Sequence, residues 1–103
     1  MASRLDLVQS WEHLAREYGY QIQEIAKHQH VSERQLRRYL RQRFGVTAKE
    51  WLDALRAHDA AEHLARGDLV KTVSGDLKFK QRSHFSKFVK RLLGTAPSKY
   101  PQR

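Results

Sequence analysis

The chain has 103 residues, 40% of them apolar, with two prolines, five glycines and no cysteine. That is enough for one compact domain with a modest core. It leaves no run near the roughly 20 apolar residues of a membrane span, no secretory pattern in the start MASRLDLVQSWEHLA, and no disulfide or thiolate chemistry, which fits a reducing cytosol. The net charge of +9 calls for a polyanionic partner: DNA, RNA or an anionic membrane.

Helical periodicity runs the whole length. Leu5, Val8, Trp11, Leu14, Ala15 and Tyr18 step by three or four, predicting one amphipathic helix over 4–18 that Gly19 stops. Ile22, Ile25 and Ala26 mark a short second helix, 21–28. Ser32 is a natural N-cap for a third, 33–44, ended by Gly45. Thr47 followed by Glu50 has the capping-box pattern and opens a long helix, 48–66, through Trp51, Leu52, Leu55 and Leu64 to Gly67. Val70, Val73 and Leu77 predict a short fifth helix. Phe85, Phe88, Val89 and Leu92 predict a sixth, 82–93, with Gly94 after it, and Pro97 begins a last turn, 97–100. No strand pattern competes, so the fold class is all-α with about seven helices.

The halves rhyme. A short helix, a few linking residues, a basic helix and a glycine occur at 21–45 and again at 70–94. A helix pair joined by a tight turn, the second helix basic, is the helix-turn-helix arrangement. The expected organisation is a single domain, 1–103: a first unit 4–46, a linker helix 47–67 and a second unit 68–103.

Charge placement carries the chemistry. On a helical wheel of 33–44, Leu36, Tyr39, Leu40 and Phe44 fall on one side, with Arg34, Arg37, Arg38 and Arg41 opposite within about 100° of arc. Arg43 falls on the apolar side near the end, placed to cap carbonyls. Four guanidiniums on one stripe repel each other unless an anion joins them, and arginine suits both guanine edges and phosphate. The plain alternative is a solvated face. Such faces mix signs, and here only Glu33 offers a partner, to Arg37. The window 78–91, KFKQRSHFSKFVKR, has six Lys/Arg and no acid. Ser83, Ser86, Lys87 and Lys90 face outward there, with Arg82 and His84 near the helix start. Ser83 also reads as a plain cap, and His84 as a surface histidine.

The middle helix of about 19 residues would span about 28 Å, of the order of the roughly 34 Å between successive major-groove faces. One chain would then read two half-sites as a monomer. Neither metal nor catalysis is expected, and no cofactor. His28 and His30 are two apart, His58 and His63 five apart, and no HExxH spacing or phosphate loop exists. Ser83 and His84 diverge on a helix. Trp11, Trp51, Phe44, Phe79, Phe85 and Phe88 sit at core spacing and read as packing.

The second unit, FKQRSHFSKFVKRLLGTAPSKY (79–100), resembles the signature of AraC/XylS-type bacterial transcription regulators: Phe, a polar stretch, Ser-x-Phe-Ser-Arg-x-Phe-Lys, Gly, then Pro-x-x-Tyr. The first, EIAKHQHVSERQLRRYLRQRFGVTAKEWL (24–52), matches in its Ala, capping Ser, Leu-x-Arg and closing Gly. Arg56 and Ala60 of the middle helix match the family's linker, so the resemblance covers about 21–100.

The resemblance implies seven helices, two helix-turn-helix units and a linker helix. It implies promoter binding, action on RNA polymerase recruitment and a place in the bacterial cytoplasm, on the nucleoid. It carries base contacts onto Arg34, Arg37 and Arg38, and onto Arg82, Ser83, His84 and Lys87. Phosphate contacts are expected at Ser32, Arg41, Lys80, Ser86 and Lys90. The chain resembles the small stand-alone members, or a domain excised from a larger regulator.

Two departures stand out. The family's turn glycines align with His30 and Lys78, where a positive φ costs about 1–2 kcal/mol. Ser74-Gly75 replaces an alanine-rich stretch, and Gly75 costs about 1 kcal/mol relative to alanine. The second unit is therefore expected to be the more mobile half. Competing functions are a nucleoid- or RNA-coating protein, a helical adaptor docking RNA polymerase, and a membrane-surface binder. The last is disfavoured because the aromatics alternate inward.

Overall fold

A computed structural model of the chain describes residues 4–103. The described residues are helical without strands: a 3₁₀ turn Arg4–Leu7, α1 Trp11–Glu17, α2 Ile22–Gln29, α3 Glu33–Phe44, α4 Ala48–Ala65, α5 Val70–Asp76, α6 Arg82–Leu93 and a 3₁₀ turn Pro97–Lys99. The chain divides into two compact units, one ending at Asp53 and the other beginning at Ala54, so the division falls inside α4. No described helix is long and apolar enough to cross a membrane.

The expected helix 4–18 is two pieces. Ser10 is extended (φ −141°, ψ 107°) and its side chain accepts from the His13 N–H, so a new helix starts at Trp11. A serine that caps a following turn competes with continuation of the preceding one. Both pieces still place an apolar face inward: Leu5, Trp11, Leu14 and Ala15 are buried. The periodicity predicted the face correctly and missed the break.

In the first unit α2 packs on α3. Ile25, Ala26, Leu36 and Leu40 are almost wholly buried, and the Trp11 ring lies 5.6 Å from Tyr39. The Tyr39 hydroxyl donates to Asp6 Oδ1 at 2.6 Å. Burial, then that carboxylate, raises the tyrosine's pKa above its ordinary value. Phe44 stacks on Trp51, 4.7 Å between centroids at 6°. The turn after α1 holds Gly19 and then Tyr20 at positive φ (65° and 61°). Glycine adopts that backbone freely and tyrosine does not. The Tyr20 ring is buried, and its N–H donates to Ala15 O at 2.7 Å, which offsets the conformational cost.

In the second unit Val73, Leu77, Phe85, Phe88 and Val89 are buried. Phe79 meets Phe85 and Phe88, each at 5.2 Å. Ala60 is fully buried on α4, and the tail returns to the same helix. The Arg103 N–H donates to Ala65 O at 2.9 Å and its guanidinium to Glu62 at 2.8 Å. Leu92, which the helical period groups with Phe85, Phe88 and Val89 on an inward face, is 36% exposed. Periodicity assigns it a face but not a depth, and it sits in the last turn of α6 before Gly94.

Candidate nucleic-acid interface

Both helix pairs close with the same backbone device. After α2, His30 adopts φ 56°, its N–H bonds Lys27 O, and the Val31 N–H bonds Ala26 O at 3.1 Å. After α5, Lys78 adopts φ 67°, its N–H bonds Gly75 O, and the Phe79 N–H bonds Ser74 O at 3.1 Å. The bond reaching back five residues is the Schellman closure, which normally takes glycine at the left-handed position. His30 and Lys78 thus keep the backbone that glycine would favour and bear its cost.

The two turns differ in length. Val31 and Ser32 separate His30 from α3, whereas Phe79, Lys80 and Gln81 separate Lys78 from α6. They differ in capping too. Ser32 accepts from the Gln35 N–H and the Gln35 side chain accepts from the Ser32 N–H, both at 3.0 Å. Gln81 caps α6 with no side-chain bond. Ser83, the alternative cap, is the second residue of the helix, and its side chain is exposed.

Arg34, Arg37, Arg38 and Arg41 are all exposed on α3, opposite buried Leu36 and Leu40. Arg37 reaches Glu33 only at 4.0 Å. Arg43 does not cap carbonyls: its guanidinium lies 5.6 Å from the Phe44 ring, close to the Tyr39 hydroxyl. Its place is set by a ring and a hydroxyl that folding brings within reach, which a helical wheel does not contain. On α6, Arg82, Ser83, His84, Lys87 and Lys90 are exposed and Ser86 is half-buried. Lys80 is exposed in the turn before it. The uncapped first turn of this 12-residue helix leaves N–H groups open beside Lys80 and Arg82.

The structure gathers Arg37, Arg38 and Arg41 along one cleft of about 800 Å³, with the α2 start and the α4 start completing it. Lys49, whose ammonium is 2.8 Å from Asp53, belongs to this cleft and was not singled out from the sequence. Its i,i+4 spacing to Asp53 was the available signal. At the α4 start Thr47 and Glu50 form the expected capping box, at 3.2 and 3.1 Å, and the Thr47 hydrogen bonds lower the Glu50 pKa.

Arg56 also acquires a role. Its Nε and Nη2 both donate to the Leu77 carbonyl, at 3.0 and 2.8 Å, with the guanidinium carbon 3.7 Å from the Phe79 ring centroid. Leu77 caps α5, so its carbonyl has no helical donor of its own. One arginine therefore closes the second turn and stacks on the aromatic beside it. Spacing alone offers no sign of a partner 21 residues away.

Residues 25–103 match a family described as the helix-turn-helix domain, of the AraC type. Among curated proteins, an uncharacterised HTH-type transcriptional regulator of Bacillus subtilis, YtdP, is 30% identical over 83 residues. That match covers 80% of this chain and 11% of the relative, so the chain spans about a tenth of that protein's length. No solved structure matches.

Proposed function

Since the chain belongs to the AraC-type helix-turn-helix family, we propose that it binds double-stranded DNA sequence-specifically and regulates transcription. The observation that carries this reading is the exposed stripe of Arg34, Arg37, Arg38 and Arg41, whose one ion pair among the described residues is the 4.0 Å approach of Arg37 to Glu33. Arg34, Arg37 and Arg38 read base edges; Arg82, Ser83, His84 and Lys87 do the same from α6. Ser32, Arg41, Lys80, Ser86 and Lys90 hold phosphates. Each unit offers one recognition helix to a major groove, and one chain serves two half-sites as a monomer. The 18 residues of α4, about 27 Å at the α-helical rise, support a two-groove reading.

In-vitro selection of duplex DNA, repeated over a salt range, tests the proposal. The expected result is a motif of two half-sites about 10 bp apart. Recovery of no motif, with affinity governed by salt alone, would replace it with sequence-indifferent coating.

A further inference from the structure

The cleft of about 800 Å³ beside α3 has a composition that phosphate anchoring does not explain. One wall carries Arg37, Arg38 and Arg41, while Tyr20, Ile22 and Leu52 supply an apolar floor. Tyr20 and Leu52 are buried and Ile22 half-buried. Lys49 is already paired with Asp53 at the rim, so the excess charge is that of the guanidiniums. The start of α2 adds backbone donors, because its N-cap, Gln21, makes no side-chain bond to them. A free inorganic anion satisfies the wall and leaves the floor wet. An uncharged apolar molecule covers the floor and leaves the guanidiniums unmatched. The volume is that of a small-molecule site, and such sites join an apolar lining to a few convergent polar groups.

We infer that this cleft binds an amphipathic organic anion, an apolar body bearing one carboxylate or phosphate head, and that its occupancy competes with DNA. The head engages the guanidiniums of Arg37, Arg38 and Arg41, and the body covers Ile22 and Leu52. Competition follows because the same arginines serve both partners. That regulatory part rests on the proposed DNA reading; the ligand site does not.

The test uses the whole chain and four probes: 4-phenylbutyrate, hexyl phosphate, hexanol and inorganic phosphate. Amide chemical-shift titration reports binding at Ile22 and Leu52, and fluorescence anisotropy reports displacement of the selected duplex at constant ionic strength. The expected result is saturable binding of both amphipathic anions, with millimolar dissociation constants, the order for about a dozen heavy atoms. Apparent DNA affinity should fall about tenfold at ten times that constant. A better fit of one head over the other names the source, a phosphorylated or a carboxylated metabolite. Ile22→Asn should weaken the probes about tenfold and leave DNA affinity of the ligand-free protein within about twofold. Absence of saturable shifts, or equal effects from hexanol or inorganic phosphate, overturns the inference whatever the DNA result. Saturable shifts without any selected DNA motif would keep the ligand site and sink the DNA reading and the competition with it.

Discussion

The two helix-turn-helix units reach one turn geometry by different means. In the first, a full capping box at Ser32 and Gln35 starts α3 directly after a two-residue link, and Arg4 Nη1 donates to the Gln29 carbonyl at 3.2 Å from 25 residues away. In the second, α5 carries an internal glycine, α6 lacks a side-chain cap, and the link is one residue longer. Its clamp is the tighter one, with two Arg56 nitrogens donating to the Leu77 carbonyl and the guanidinium stacking on Phe79. In both units an arginine distant in sequence serves the carbonyl just before the left-handed residue, so the units differ in local capping and in how closely that guanidinium is held.

That contrast is most exposed at Arg56. Arg56→Met should destabilise the second unit by about 3 kcal/mol, the sum of a charged hydrogen-bond pair and a cation–π contact. Both tryptophans, Trp11 and Trp51, lie before Asp53. Tryptophan fluorescence should therefore shift less on urea unfolding than amide exchange at Val73 and Phe85. Equal loss in both halves would erase the distinction.

Next in size is DNA affinity. Arg38→Ala should cost about 1–3 kcal/mol and relax preference at one base pair, as judged by repeating the selection. A loss uniform across sequences would move Arg38 to phosphate. Lys87→Ala, on α6 of the second unit, tests whether that helix reads bases as α3 does.

Two capping and propensity changes then measure the local contrast. Ser32→Ala should cost about 1 kcal/mol in chemical denaturation, because α3 loses its capping box. Gly75→Ala should gain about 1 kcal/mol, since an added Cβ meets nothing within 4 Å and the backbone there is ordinary. Amide exchange on the unliganded protein compares the two units directly, with the second expected to exchange faster. Equal protection would show that the Arg56 clamp outweighs Gly75.

The smallest effect is the response to acid. Glu50 is held below its ordinary value of 4.5 by Thr47, and in the second unit Glu62 by Arg103 and Asp68 by Arg66. A depressed carboxylate contributes stability above its unfolded-state pKa and loses it as pH falls through the folded one. Thermal midpoints should therefore decline as pH drops below about 4.5, in the range where these groups take up protons. Glu50→Gln should flatten that decline for the first unit.

Local chemistry was legible in the chain itself. Ser32, Gly45, Thr47 with Glu50, Gly67 and Gly94 placed the helix ends, because caps depend on neighbours within four residues. The arginine stripe was legible too, since a helical wheel needs only the period. The same rule failed at Ser10, where a cap split a face that periodicity reads as continuous. Arg43 and Arg56 were decided by rings and carbonyls that folding brought beside them. The cleft under Arg37, Arg38 and Arg41 likewise needed three separate helices to meet. By itself the sequence determined where helices begin, end and carry charge, because those are matters of covalent neighbourhood. Only the tertiary structure decided which charges stay free for a partner and which are used inside, because that depends on what approaches across tens of residues.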